Sequence, residues 1–163
     1  MVPYQKLFQA LSEHQIKYLV AGGFAVNFHQ IQRATMDLDL ILHLEKNNLE
    51  KFSNLMSTLG FAPRIPADIS SLSDHETREL WIHKKNMIVF SFYHEKNRME
   101  VVDIFIQEPK PFIDLEARKM TVEAFGLSIS VVGLDDLIEM KRLAGRERDL
   151  FDVSQLEKVR KLK

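Results

Sequence analysis

The sequence predicts an α+β (α/β) fold, and three observations predict it. Apolar runs with strand alternation take turns with helically spaced apolar residues, a glycine pair joins the first strand to the helix behind it, and from residue 134 onwards the pattern is helical. The 163 residues, 45% of them hydrophobic, suffice for one domain with a solid core; residues 1–133 read as that core and residues 134–163 as a C-terminal helical segment.

Taken in order, Tyr4, Leu7, Phe8 and Leu11 fall on one face of a short opening helix, with Pro3 suited to its first turn. Residues 18–20 form a short apolar run that Gly22 and Gly23 break, after which Phe24, Phe28 and Ile31 recur at helical spacing until about Gln32. Residues 37–42 alternate with period two, so Asp37, Asp39 and Ile41 share one face of a second strand and Leu38, Leu40 and Leu42 the other. A crossover helix follows, capped by Asn47 or Asn48, striped by Leu49, Phe52, Met56 and Leu59, and ended by Gly60 in a left-handed cap. Residues 61–74, with their prolines and serines, read as irregular loop with one helical turn at 68–72.

Residues 80–83 and 88–93 are both β-rich and predict a hairpin about the polar residues 84–87. A second polar turn at 95–98 leads into residues 99–106, an almost continuous apolar run that Asp103 alone interrupts. Residues 112–120 predict a short helix, and 122–125 with 127–132 another hairpin, hinged on Gly126. Leu134, Leu137 and Ile138 face inward on the next helix, which is acidic in its first turn, basic in its last, and broken by Gly145. In the final helix, 146–162, Val153, Leu156 and Val159 face inward. Lys141 and Asp149 lie on the inner faces of these two helices and predict a shared polar site.

Composition excludes several functions. No apolar run is long enough to span a membrane, and no basic stretch followed by a hydrophobic one marks a signal peptide. With 0 cysteines, disulfides and thiolate metal sites are ruled out, which fits a reducing cytoplasm. A net charge of −1 gives no general nucleic-acid signal, although residues 139–163 carry a local basic excess.

The chemistry concentrates at the first glycine turn. Mg²⁺ is a hard cation that takes one or two protein carboxylates and completes its shell with water and substrate phosphate oxygens, so a strand-borne pair such as Asp37 and Asp39 supplies such ligands. Gly22 and Gly23 let the backbone approach a triphosphate with no Cβ in the way, and the helix start behind them presents free N–H groups. A carboxylate in an apolar strand is costly to bury unless it is paired or bound to a cation. Asp103 is therefore the natural third ligand, provided its strand lies beside that of Asp37 and Asp39.

Together, Gly22-Gly23, Arg33-x-Thr35-x-Asp37-x-Asp39, the lone Asp103 in Val-Val-Asp-Ile-Phe, and Asp136-Leu-Ile-x-x-Lys141-x-x-x-Gly-Arg146-x-x-Asp149-x-x-Asp152 resemble the nucleotidyltransferase superfamily of the DNA polymerase beta type. Within it the chain is most similar to small AbiEii-like nucleotidyltransferases, a group associated with bacterial toxin–antitoxin systems. The resemblance spans nearly the whole chain. It implies a minimal nucleotidyltransferase fold, a mixed β-sheet flanked by helices with a C-terminal helical segment beside the cleft, and transfer of a nucleotidyl group from a nucleoside triphosphate to a hydroxyl with release of pyrophosphate. It implies two Mg²⁺ ions, Asp37 and Asp39 holding the metal on the triphosphate and Asp103 completing a second site or deprotonating the attacking hydroxyl. Gly22, Gly23, Arg33, Thr35, Arg146 and Asp149 would bind nucleotide and phosphate, and Lys141 would neutralise developing charge. At position 23 many members carry serine; glycine removes that hydroxyl contact, as is frequent in the AbiEii-like branch. The implied acceptor is an RNA end such as transfer RNA, or a protein hydroxyl. The implied partner is an antitoxin protein and the implied location the cytoplasm.

Other readings of the same residues stand beside these. Asp37 and Asp39 alone can cap a strand end, Asp103 can partner an arginine such as Arg78, and Lys141 with Asp149 can be an ion pair tying two helices. His29, Trp81 and the cluster Phe90, Phe92 and Tyr93 read as core, and the basic end at Lys158 to Lys163 as a solvated helix terminus. The alternative function is a catalytically silent nucleotide-binding or protein-interaction module of the same fold.

Overall fold

The computed structural model describes residues 4–163, so the part assigned to Pro3 lies outside the described residues. The strands are β1 (Tyr18–Ala21), β2 (Leu38–Leu42), β3 (Phe61–Pro63), β4 (Val89–His94), β5 (Val101–Phe105), β6 (Met120–Ala124) and β7 (Leu127–Val131), in the sheet order β3-β4-β5-β2-β1-β7-β6. The sheet is mixed: β2 runs parallel to β5 and β1 parallel to β7, while the other neighbours are antiparallel. The helices are α1 (Gln5–Glu13), α2 (Gly22–Phe28), α3 (Lys46–Thr58), α4 (His75–Lys85), α5 (Phe112–Ala117), α6 (Leu134–Ala144) and α7 (Glu147–Leu162), with a 3₁₀ turn at Ile69–Ser73.

Strand alternation divides the sheet into two unlike faces. Leu38, Leu40 and Leu42 fall in register with Val102, Ile104, Phe90 and Phe92, and all of them are buried. Helices α1, α3 and α4 cover this side, as Phe8 against Tyr18 (6.3 Å between centroids), Phe52 against Phe92 (5.9 Å) and Trp81 stacked on Phe90 (5.2 Å) show. Each such side chain contributes roughly 1.5–3 kcal/mol by leaving water. On the opposite side the middle of the sheet carries Asp39, Ser91 and Asp103, all only half-buried. Among the described residues no helix is long and apolar enough to cross a membrane.

Residues 80–83, expected as the first strand of a hairpin, are instead helical, within α4. The reason lies upstream: the Asp74 carboxylate accepts a hydrogen bond from the Thr77 N–H at 2.9 Å and caps the helix, and Asn86 closes it in the left-handed conformation at φ 50°. Helical spacing then presents Trp81 to Phe90 and sends the buried Arg78 guanidinium to the Leu72 carbonyl at 2.8 Å. The strand that pairs with β4 on that side is β3, from residues expected to be loop; Pro63 is tolerated because β3 is the sheet edge. The expected turn at 95–98 does connect two antiparallel strands, β4 and β5. Two helices also end earlier than periodicity predicts: α2 at Phe28, where Gln30 turns left-handed (φ 69°), and α5 at Ala117, because Met120 already begins β6.

Asn48 does not cap α3, whose N-cap is Glu45. It sits inside the helix, where its side chain accepts from Lys17 N (2.9 Å) and donates to Lys17 O (3.0 Å) and His43 O (2.9 Å). It thereby ties the entry of β1 to the exit of β2. Asn48→Ala takes the partner from the Lys17 N–H and from the His43 carbonyl, while the Lys17 carbonyl keeps the His43 N–H at 3.1 Å, and urea denaturation is expected to show a loss of about 2–3 kcal/mol in unfolding free energy.

Candidate active site

Strand register sets the centre of the site. Ala21 faces Asp39, Asp39 faces Asp103, and Asp103 faces Ser91 across successive strand pairs. Facing residues project on the same side of a sheet, so the Asp39 and Asp103 carboxylates stand about one strand spacing (~4.8 Å) apart. The Ser91 hydroxyl donates to Asp103 Oδ1 at 2.5 Å. Arg78, the rival partner for Asp103, is bound to the carbonyls of Leu72 and Leu44 instead. Asp37 lies one residue before β2 and is exposed, so β2 begins later than the alternation predicts. The Met36 carbonyl just ahead accepts from the Tyr4 hydroxyl at 2.6 Å, which holds the chain to the start of α1 rather than to the ladder.

Crowding of negative charge marks this centre. Burial and then repulsion from Asp103 push the Asp39 carboxyl up to about 6, Asp37 adding to the rise while Lys141 and Arg33 oppose it. The Asp103 carboxyl is also raised, first by burial and then by Asp37, against the Ser91 hydrogen bond and the charge of Arg64.

The glycine turn closes the site from one side. Gly22 has φ +58°, and a Cβ built on it would sit 1.9 Å from Asp39 Oδ2. A Cβ on Gly23 would sit 1.9 Å from Arg33 Nη1 and 2.5 Å from Thr35 Oγ1. The two glycines thus let Asp39 on one side and Arg33 with Thr35 on the other pack directly against the turn, in space that any side chain would need. Asn27 fixes the Arg33 backbone, its Oδ1 accepting from the Arg33 N–H at 2.8 Å.

From Arg33 a chain of charges runs into the C-terminal helices. Arg33 Nε lies 3.1 Å from Asp152 Oδ1, Asp152 Oδ2 lies 2.9 Å from Lys141 Nζ, Lys141 lies 3.1 Å from Asp149, and Arg146 Nε binds Asp149 Oδ2 at 2.6 Å. The Lys141–Asp149 pair tying α6 to α7 is therefore present, with Asp152 shared between Lys141 and Arg33. Burial pushes the Asp149 carboxyl up, but hydrogen bonds from Arg146 and Lys141 outweigh it and hold the group below the ordinary carboxylate value. Arg33 Nε and Asp152 Oδ2 are buried at ion-pair distance yet make no aligned hydrogen bond. Sequence reasoning misses Ser91, and it names Asp152 only within the closing motif, without a role. The signal for Ser91 is a lone hydroxyl in an apolar run, and for Asp152 an inward acid one turn below Asp149. His29 is a core histidine, its Nε2 2.8 Å from the Val132 carbonyl.

The donors at the centre are all oxygens, and a cation there would relieve the repulsion that raises Asp39 and Asp103. Among the described residues no three His, Asp or Glu side chains are gathered into a ready cage. A hard divalent ion that shares its shell with phosphate and water needs only one or two carboxylates. The residues fit such an ion, with the glycine turn beside it.

Residues 5–163 match the family described as Nucleotidyl transferase AbiEii toxin, Type IV TA system. The chain belongs to the AbiEii nucleotidyl transferase family. AbiEii membership makes it a nucleotidyltransferase, and solved structures agree on the fold. The lincosamide antibiotic adenylyltransferase LnuA is similar at TM-score 0.60 and 14% identity, covering 94% of each chain. ANT(2")-Ia, solved in complex with adenylyl-2"-tobramycin, is similar at TM-score 0.57 and 14% identity, over 96% of this chain and 90% of that one. An antigenic nucleotidyltransferase-like protein from Paracoccidioides brasiliensis is similar at TM-score 0.59 and 15% identity, over 93% and 72% respectively. No curated protein matches the sequence.

Asp39 gives this AbiEii chain a pH signature. Its folded pKa of about 6 lies above the ordinary 3.8, so the folded state favours the protonated acid. That contribution is fully present below pH ~4 and is lost as pH rises through about 6. Asp39→Asn removes the penalty: chemical denaturation is expected to show the variant about 2–3 kcal/mol more stable than the parent at pH 8 and nearly equal to it at pH 4.

Proposed function

We propose that this chain transfers a nucleotidyl group from a nucleoside triphosphate to a hydroxyl acceptor, and that Asp37, Asp39 and Asp103 carry the reaction with Mg²⁺. The observation that supports this most is the register of Asp39 with Asp103 against a glycine turn with no room for a side chain. In this reading Asp37 and Asp39 would hold one Mg²⁺ ion, and Asp103 with them a second. When bound, the metal supplies charge neutralisation at the triphosphate and at the oxygens that attack and leave.

The chain's own groups do the rest. Gly22 and Gly23 seat the phosphates, and Thr35 and Arg33 line the wall against which they rest. Asp103 accepts the proton of the attacking hydroxyl, its orientation fixed by Ser91. That oxygen bonds to the α-phosphorus as the bond from phosphorus to the bridging oxygen breaks, and pyrophosphate leaves with the electron pair. Arg33, Lys141 and Arg146 offset the charge that builds up, held in place by Asp152 and Asp149.

The acceptor in this proposal is an RNA end, for instance of a transfer RNA, or a protein hydroxyl. The family description supports a toxin role, with an antitoxin protein as partner. The cytoplasm, where nucleoside triphosphates and RNA are available, is the proposed location. Incubation with each labelled nucleoside triphosphate, Mg²⁺ and total RNA is expected to label an acceptor. Asp37→Ala and Asp39→Asn are expected to cut that labelling by at least about a hundredfold while staying folded. A parent protein that neither transfers label nor binds nucleotide with Mg²⁺ would rule the reading out.

A further inference from the structure

The row of side chains that contains Asp39 and Asp103 does not stop at Ser91. The Arg64 N–H donates to the Ser91 carbonyl at 2.9 Å, which continues the β3–β4 register one residue beyond Pro63. Arg64 therefore lies in the same row as Ser91, Asp103 and Asp39, two strand spacings, or about 10 Å, from Asp103. Its positive charge acts on Asp103 across that distance. Tyr93, two residues along β4 from Ser91, projects on the same side. The Arg98 guanidinium sits over its ring, 5.4 Å from the centroid. Arg64, Tyr93 and Arg98 line one pocket of about 350 Å³ on this open part of the sheet.

The Tyr93 ring is the one contact the structure gives Arg98, and Arg64 has no side-chain partner among the described residues. Arg33, Arg118, Arg142, Arg146 and Arg160 each hold a carboxylate. Arg78 is satisfied by main-chain carbonyls. Arg64, Arg98 and Arg148 have no such partner among the described residues and are exposed, and of these Arg64 and Arg98 line the pocket beside Tyr93. Two guanidinium groups with no carboxylate partner, one of them over an aromatic face, answer the chemistry of a single nucleic-acid strand, with phosphates for the arginines and a base for the ring. A protein hydroxyl would bring neither phosphate nor base.

We propose that Arg64, Tyr93 and Arg98 form the acceptor subsite, taking the last nucleotides of a single-stranded RNA so that its terminal hydroxyl reaches Asp103. This rests on the nucleotidyl-transfer reading above and chooses between its two acceptors. The arginines hold the phosphates and Tyr93 stacks a base in the place where Arg98 now lies.

The test separates the two claims. Binding of a fluorescent single-stranded RNA with a free 3′ hydroxyl is measured by anisotropy without nucleotide, and ATP with Mg²⁺ is measured by thermal shift. Arg64→Gln, Arg98→Gln and Tyr93→Leu are each expected to weaken RNA binding by roughly tenfold while melting temperature and nucleotide shift stay those of the parent. Each arginine variant is also expected to flatten the slope of log affinity against log salt by about 0.7. Lys158→Gln, on the basic helix end, is expected to change neither. RNA binding unaltered in Arg64→Gln/Arg98→Gln, or label transferred to protein as well by that variant as by the parent, would overturn the subsite. Absence of a nucleotide shift in the parent would instead overturn the transferase reading, leaving the RNA measurement to decide the pocket by itself.

Discussion

Two acidic strands pressed against a turn with no side chain is the constraint on which this molecule depends. Asp39 Oδ2 occupies the space a Cβ at position 22 would take, and Gly22 is left-handed there, so residue 22 is fixed twice over, by conformation and by volume. The same contact keeps water from surrounding Asp39 and places its charge beside that of Asp103, so electrostatic repulsion is built into the fold. Folding tolerates it because the opposite face of β2 and β5 is solidly packed, with Leu38, Leu40, Val102 and Ile104 fully buried under the helices. Stability comes from one face of the sheet, and the proposed chemistry sits on the other, where the crowded carboxylates cost some stability.

The C-terminal helices reach the candidate site by charge rather than by apolar packing alone. Asp149 and Asp152 project from α7 toward Lys141 of α6, and Asp152 also reaches Arg33, which follows α2. Cations near the cleft are therefore positioned by acids that stand behind them. Buried ion networks of this kind contribute little net stability, since desolvation offsets their attraction. Their value here is placement: Lys141 and Arg33 are directed so that their charge falls on Asp39. Asp136, one turn earlier on α6, is similarly held by Arg118 and Lys110 and anchors the other end of that helix.

Much of the site could be read from sequence because its signals are local. Gly22-Gly23 and Asp37-x-Asp39 declare a turn and a strand within a few residues, and Asp103 announces itself as one charge in an apolar run. What local patterns missed was decided over longer range. Residues 80–83 have β-prone side chains, but the cap at Asp74 and the docking of Trp81 on Phe90 override that preference. β3 was hidden by prolines that only an edge strand tolerates, and Asn48 has a cap's chemistry yet bonds to Lys17 and His43 across the fold. The pairing of Arg33 with Asp152 joins residues from opposite ends of the chain, and no window of sequence contains both.

The parallel pairing of β2 with β5 has a consequence for synthesis on the ribosome. α3, β3, α4 and β4 all lie between these two neighbours in the chain. A nascent chain therefore exposes Asp39 long before Asp103 emerges to stand beside it, and the acids that steady Lys141 and Arg33 follow only with α7. The growing polypeptide carries an unfinished charge network until α7 has left the exit tunnel.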